Sequence, residues 1–569
     1  MPWNLNFVKF RPFRIWDDNK PIPMSRQTPS GPLQFLPPHR LRPFVPLWAF
    51  GLEGPWLGRH LAESLDKLSS DQPELTGVRN ALAAWRFERF PLDPTCVRSA
   101  LSADRTALGS GLRALALKLS PRLSPPLTAR DWPALRDAGD RQAALSVLTA
   151  GMADPDHALY WRGKALEYAL TAGLPDLAEA AIRPLAADPA TAPLVPRLAA
   201  EIAATFGDAA CALNAAQAVD ATLFPRFAAL ATGSGLAAAG ERAAGIRVFS
   251  RLWRQENWHP GLTLALHALH HPTPEIAPAA PPGPVSVCVY SWNRADRLGR
   301  TLQSLAESDL GPARVFVLDN GSTDDTAAVC RACAPRFGAQ GLALVSLPVN
   351  IGAPAARNWL ATRSPCGPDD RIAYVDDDVL VPKNWLSGLL GALTADPEAD
   401  VAGARILAGD TRVPVSADVH LLAPEGASTV RPLVNCPRGP DFGLTAANRP
   451  CPSVSGCCHL FRGRALAGPA PFDIRFSPSQ FDDLARDIGA YLAGGRCVLA
   501  GNIAVAHHQP QPAGNARARS LGARRKLDGL FSDTAMTVAA KRDLDTAWEE
   551  LETKWTELAR LSRAGIDAD

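Results

Sequence analysis

Three adjacent carboxylates, Asp376, Asp377 and Asp378, follow directly on the apolar run Ile372–Val375. Like charges so close repel one another and are costly off a buried strand unless a cation neutralises them. The arrangement suits a hard divalent ion holding a diphosphate; taken alone, it also suits a solvated turn. Asp319 ends a second apolar run, Val315–Leu318, and is followed by Asn320-Gly321-Ser322-Thr323-Asp324. A carboxylate is an acceptor-only group, so at a strand end it can accept the N3–H of a uracil or thymine ring. Gly321 permits the tight turn that such a position needs.

These carboxylates need strands to present them. The first predicted strand, Val285–Tyr290, stops at Ser291-Trp292-Asn293-Arg294, and a helix follows through Leu298, Leu302 and Leu305. The second strand is Val315–Leu318. The third, Leu342–Leu347, leads into Asn350-Ile351-Gly352 and a helix bearing Arg357 and Asn358. Short β-branched strands alternating with amphipathic helices mark βαβ units and a mostly parallel sheet. Ligands of such sheets bind off the carboxyl ends of the strands.

The motif series strand–Asn-Arg, strand–Asp-Asn-Gly-Ser-Thr-Asp, Asn-x-Gly-x4-Arg-Asn and strand–Asp-Asp-Asp resembles family 2 glycosyltransferases with the A-type nucleotide-sugar-binding fold. The resemblance continues through Ser455-Gly456-Cys457-Cys458-His459-Leu460-Phe461-Arg462. It goes on through Phe472-Asp473-x2-Phe476, where Pro471 replaces the usual glycine. Phe481-Asp482-Asp483-x2-Arg486-x7-Gly494 resembles the family's acidic acceptor-helix motif, with Asp482 where glutamate is common. Val505-Ala506-His507-His508 resembles its terminal histidine element. The match spans about residues 284–510.

The resemblance implies a role for each matching residue. Asp319 would read the pyrimidine base. Asp376 would contact ribose or metal, with Asp377 beside it in the donor site. Asp378 would bind the metal directly, and His507, with His508 as second choice, would complete its shell. Mixed oxygen and imidazole ligation suits Mn2+ as well as Mg2+. Asn293, Arg294, Gly352 and Arg357 would line the nucleotide pocket, and Asp483 would act as general base. Trp385 reads as a packing anchor, and the role of Trp292 is open.

The rest of the 569 residues divides by composition. Residues 1–60 form an arm rich in Pro and aromatics, such as Trp3, Phe10, Trp16, Phe35, Trp48 and Trp56. It suits packing on a neighbouring domain, or contact with a partner or membrane surface. Residues 61–270 are Ala- and Leu-rich with apolar residues at helical spacing. Ala-Asp-Pro recurs at Ala153–Pro155 and Ala187–Pro189, and the stretch resembles a tetratricopeptide-type repeat; a generic helical bundle is the other reading. Residues 271–284 are a Pro-rich stiff linker. Residues 285–512 hold the transferase-like domain, and 513–569 return to helix. There Leu544, Trp548, Leu551, Trp555, Leu558 and Leu561 form an amphipathic stripe. The expected architecture is therefore an α/β domain with a Rossmann-like mixed sheet, behind an all-α repeat region and before a helical tail.

Lys+Arg number 59 and Asp+Glu 57, a near-neutral balance that argues against a bulk nucleic-acid partner. Eleven cysteines, an odd number at irregular spacing, make a poor disulfide framework. Cys330-x2-Cys333 and the group Cys436, Cys451, Cys457, Cys458 and His459 lack zinc-ribbon spacing and read as free buried thiols. No apolar run is long enough for a membrane span, and Met1–Lys20 does not read as a secretory signal. The chain is expected in the cytoplasm, with peripheral contact at the inner membrane face if the acceptor is lipid-linked. These readings combine into a metal-dependent inverting transferase. It would move a sugar from a UDP- or dTDP-sugar donor to a glycan, lipid-linked glycan or protein acceptor. The helical region would select that acceptor, bind a protein partner or self-associate. The competing reading is a helical interaction scaffold with an inactive nucleotide-sugar-binding domain. A nucleotidyltransferase ranks last, because the first strand leads to Ser-Trp-Asn-Arg and not to a Gly-rich loop. Acceptor recognition is expected on the Pro-rich, loop-like segment 409–450.

Overall fold

The computed structural model describes residues 38–42, 73–104, 107–281, 283–363, 367, 369–423, 430–434, 439–467, 471–508 and 522–563. Of the N-terminal arm, Pro38–Arg42 are described; Arg42 pairs with Asp545 of the C-terminal helix. The arm's aromatics lie outside the described residues.

The described residues between 73 and 270 are mainly helical, and successive helices pack on their sequence neighbours. It begins with α1 (Pro73–Arg89) and includes α2 (Leu194–Phe206), α3 (Pro225–Ala238), α4 (Arg242–Gln255) and α5 (Pro260–His270). The Ala-Asp-Pro tripeptides are helix stops. Asp154 accepts the amide of Asp156 at 2.9 Å, and Asp188 accepts that of Ala190 at 2.8 Å. Asp396, in a further copy at Ala395–Pro397, accepts that of Glu398 at 3.2 Å. A short side chain capturing the amide two residues on turns the chain wherever it occurs. The tripeptide thus reports a turn and does not by itself mark a repeat.

The C-terminal half is built on one mixed sheet. Its strands are β1 (Val285–Ser291), β2 (Arg314–Asp319), β3 (Leu342–Ser346), β4 (Arg371–Val375), β5 (Val379–Leu380), β6 (Ala399–Ala408) and β7 (Pro414–Ser416), then β10 (Arg449–Cys451), β12 (Cys458–Arg462) and β13 (Arg496–His507). The order is β10-β13-β6-β12-β4-β1-β2-β3, with β5 on β13 and β7 on β6. β1, β2, β3 and β4 run parallel, whereas β12 is antiparallel to both β4 and β6. A second sheet joins β8 (Asp418–Leu422), β9 (Arg431–Val434) and β11 (Ser453–Val454) in the order β11-β8-β9.

The period of two along β1 sets both faces. Val285, Val287 and Val289 bury against α6 (Ala295–Glu307), through Leu298, Leu302 and Leu305, and against α9 (Trp385–Ala395). Cys288 faces the other way, toward Ala356 and Leu360 of α8 (Ala353–Arg363). The connection after β2 forms α7 (Thr326–Cys333). Trp385 is fully buried and donates Nε1–H to Ser308 Oγ at 3.0 Å. Cys330, Cys451, Cys457 and Cys458 are buried free thiols; Cys436 lies outside the described residues. The linker is docked: Ile276 N–H donates to Ser387 O at 3.0 Å, and Ser387 Oγ donates to Glu275 Oε2 at 3.1 Å.

The segment 409–450 departs from the loop expected of it. It contributes β7, β8 and β9, because Val413, Val415, Ala417, Val419 and Leu421 alternate at strand spacing. Pro414 and Pro432 are tolerated on strands that each pair on one side. Beyond them Phe442, Leu444 and Ala447 join the helical core; Phe442 stacks edge-on to Phe227, ring centroids 5.4 Å apart. Arg89 donates to Pro440 O at 3.1 Å, so the two halves share one interface.

Two more helices complete the chain, α10 (Asp482–Leu492) and α11 (Asp533–Arg563). Trp548, Leu551, Trp555 and Leu558 of α11 are buried in the N-terminal core. Trp555 donates Nε1–H to Asn257 O at 3.1 Å, beyond the end of α4. Each such side chain contributes roughly 1.5–3 kcal/mol when fully buried. The apolar stripe of the tail therefore faces the helical half.

Candidate active site

The carboxyl ends of β1, β2 and β4 lie side by side. Ser291, the last residue of β1, is in register with Asp319, the last of β2. Off β4, Asp376, Asp377 and Asp378 line a cleft of about 360 Å³ together with Ser291, Arg294, Arg357, Gly456, Asp482, Asp483 and His507.

Each carboxylate of the triplet has different partners. Asp377 accepts from Ser291 Oγ at 2.6 Å and from Arg294 Nη1 at 3.0 Å. Burial pushes its carboxyl up to about 6, against the opposing pull of Arg294. Asp378 accepts from the same Arg294 Nη1 at 3.0 Å and lies 3.0 Å from His507 Nε2. Burial acts to raise its pKa, but the hydrogen bond and charge of His507, with Arg294, hold it below the usual range. Asp376 lies 3.3 Å from the Tyr290 hydroxyl and 3.4 Å from Arg357 Nη2; burial leaves its carboxyl raised.

Asp376, Asp378 and His507 each bring one ligand atom within 4.8 Å of the others. Two carboxylates and one imidazole, from the loop after β4 and the end of β13, fit a manganese- or magnesium-class ion. β5 pairs with β13 at Val379–His507, which carries His507 back to the triplet. His508 points elsewhere, with Nε2 3.4 Å from Asp410 Oδ1, while its amide donates to Asp378 O at 2.8 Å.

Asp483, in the first turn of α10, also lines the cleft. Its Oδ2 accepts the Gly456 N–H at 2.8 Å. Burial and the neighbouring Asp482 push its carboxyl up to about 6, opposed by Arg357. Asp482 is buried and bound by Arg357 Nη1 at 2.5 Å. The Arg357 Nη2 also reaches Gly456 O at 3.3 Å. One guanidinium from α8 thus ties together the acid pair, the triplet and the entry to β12.

Three expected pocket residues flank the cleft and do not line it. Asn293, at φ 52°, accepts the Thr323 N–H at 2.7 Å and pins the β1 loop to the β2 loop. Asn is one of the few residues that adopts this backbone without large cost. Gly352, at φ 82°, turns the chain into α8; a Cβ there would lie 2.7 Å from Ser477 Oγ. Asp319 is buried and accepts the Ser322 N–H at 3.0 Å, and its neighbour Asn320 is the one that reaches the cleft. Arg294, Arg357, Asp376, Asp377, Asp378, Asp483 and His507 do converge there.

The sequence reading missed Ser291, whose position at a strand end was its one signal. It also missed Pro478, Ser479 and Gln480, which line the cleft before α10. Gln480 and Phe481 hold positive φ angles of 83° and 64°. Non-glycine residues in that region are strained and cluster at functional sites; no sequence pattern announces them. Trp292 stands half-exposed at the mouth of the cleft.

An α/β domain with acidic loops meeting off parallel strands is the architecture of A-type glycosyltransferases. Residues 286–466 match the family described as Glycosyl transferase family 2. Two relatives, from Mycobacterium tuberculosis strains CDC 1551 / Oshkosh and ATCC 25618 / H37Rv, bear the name N-acetylglucosaminyl-diphospho-decaprenol L-rhamnosyltransferase. Each is 26% identical over 291 residues, spanning 48% of this chain and 88% of its own. Among solved structures, the mannosyltransferase PcManGT from Pyrobaculum calidifontis, in complex with GDP-Man and Mn2+, is 18% identical. That alignment covers 56% of this chain and 88% of the other, with a TM-score of 0.32. S. aureus TarS is 21% identical over 40% of this chain, with a TM-score of 0.29; this chain spans 37% of its length. The family match and the relatives support glycosyl transfer by the C-terminal half. No helix among the described residues is long and apolar enough to cross a membrane.

Proposed function

We propose that this chain is a divalent-metal-dependent, inverting glycosyltransferase that uses a nucleoside-diphosphate sugar. The observation that carries the reading is the convergence of the Asp376, Asp378 and His507 cluster and of Asp483 on one cleft. A cation held by Asp376, Asp378 and His507 would supply neutralising charge for the departing nucleoside diphosphate. Arg294 and Arg357 hold the surrounding carboxylates in position and offset their mutual repulsion. Asp483 removes the acceptor hydroxyl proton as that oxygen attacks, which is general-base work contributing about 10²–10⁴-fold. Attack on the face opposite the leaving group inverts the anomeric centre. Asp319, next to Asn320, is the candidate for reading a pyrimidine base.

The names of the two relatives make L-rhamnosyl transfer to a diphospho-polyprenol-linked N-acetylglucosamine the first pair to test. Such an acceptor would require peripheral contact with a membrane. The helical region before the linker is the proposed acceptor- or partner-selecting part, since its Phe227 and Arg89 meet Phe442 and Pro440 of the transferase domain. A thermal-shift panel of nucleotide sugars, with and without manganese, identifies the donor by selective stabilisation. Transfer to the lipid-linked acceptor then completes the assignment. Donor and metal binding with no transfer across an acceptor panel would instead favour an inactive scaffold.

A further inference from the structure

A second group of metal-ligating side chains lies outside the cleft. His267, near the end of α5, and His271, just beyond it, are four residues apart and so share one helix face. Their rings lie 4.6 Å apart, tilted by 32°. Both present Nε2 to one carboxylate: Glu557 Oε2 is 3.0 Å from His267, and Glu557 Oε1 is 2.9 Å from His271. Glu557 comes from α11, so the group joins elements 290 residues apart. Lys554, one turn earlier on α11, pairs with Glu550 and donates to Asn448 O at 3.4 Å.

We propose that His267, His271 and Glu557 form a second metal site, of the zinc class, clipping α11 to the end of the helical region. One ligand atom from each lies within 4.8 Å of the other two. Metal–ligand bonds of about 2.0–2.1 Å in tetrahedral geometry put ligand atoms roughly 3.3 Å apart. The nitrogen–oxygen separations of 2.9 and 3.0 Å need to open by only a few tenths of an ångström. Two imidazoles and one carboxylate favour zinc or another late transition ion over magnesium, which prefers all-oxygen shells. Three protein ligands leave one position open. His267 and His271 border a cavity of about 1180 Å³ between the helical half and the sheet, so that position faces reachable space. The Trp253–Trp555 contact, centroids 6.0 Å apart, already packs α4 on α11. The ion would lock an arrangement that exists without it.

The test separates this site from the cleft. Full-length Asp378→Asn protein, with any affinity tag removed, is loaded with zinc chloride and dialysed against metal-free buffer. Metal content and melting are then measured. The expected result is about one retained zinc per chain with a raised Tm. Adding His271→Ala, or separately Glu557→Gln, should abolish both. His271 and Glu557 are nearly half-exposed, so both variants should fold, and circular dichroism checks this. An Asp378→Asn chain that retains no zinc, or one that retains as much after both added substitutions, overturns the site.

Discussion

The backbone amide of Gly456 donates to Asp483 at 2.8 Å, and a Cβ on residue 456 would stand 2.4 Å from that same carboxylate oxygen. The entry to β12 therefore orients the proposed base and leaves no room for a side chain. Gly456→Ala should displace Asp483 and lower kcat by about 10²-fold or more, within the range a positioned base contributes. Steady-state kinetics on a variant with unchanged far-ultraviolet circular dichroism checks this.

The pH profile should show Asp483 directly. Burial and Asp482 raise its carboxyl to about 6 from an ordinary 3.8. The base works ionised, so kcat should climb as pH rises through about 6 and level off above. Asp483→Asn should cost about 10²–10⁴-fold in kcat and remove that limb. An unchanged acidic limb in the variant would assign the titration to another group.

Chelation tests the metal cluster. Dialysis against EDTA should abolish transfer, and added manganese should restore it. Manganese should raise the Tm of the wild-type chain, as a ligand of the folded state must. Asp378→Ala and His507→Ala should each shrink that rise, because each removes a group from the Asp376–Asp378–His507 cluster.

Arg357 is a structural tie as well as a cleft residue. It is buried and pairs with Asp482 and Asp376 at 2.5 and 3.4 Å. Removing one partner of a buried pair leaves an uncompensated charge, at a cost of about 3–5 kcal/mol. Arg357→Ala should lower the Tm, and the double change Arg357→Met with Asp482→Leu should recover part of the loss.

A buried histidine makes the attachment of α11 pH-dependent. His420 Nε2 lies 2.7 Å from Asp418 and Nδ1 2.9 Å from Asp543. Burial would lower its pKa, but Asp543 and Asp418 outweigh that and raise it from 6.5 to about 10. The protonated form therefore stabilises the fold fully below pH 6.5, and that contribution is lost as pH rises through 10. The Tm gap between wild type and His420→Gln should be widest at pH 6 and close toward pH 10, read from melts across that range.

Much of the transferase half was legible in the residues because its signals are local. Alternation along Val285–Tyr290 and the stripe Leu298, Leu302 and Leu305 depend on neighbours within a few positions. So does an acid at the end of an apolar run, such as Asp319 or Asp376. The tail's stripe through Trp548 and Trp555 was equally plain, but not the surface it would cover. Segment 409–450 shows the limit: its prolines suggested loop, and pairing with β6 and β11 makes strands of Pro414–Ser416 and Asp418–Leu422 within it.

Which groups meet is a matter of register and crossover. Strand β12 threads between β4 and β6, bringing Gly456 to Asp376 and Asp483, and β5 folds His507 onto Asp378. The same long-range pairing sends Asn293 and Gly352 to hold loops and sets Glu557 against His267 and His271. Contacts between residues hundreds of positions apart leave no periodic trace along the chain. They arise from packing the sheet, the helices and α11 around shared cores, and that arrangement alone turns a scatter of acids and histidines into sites.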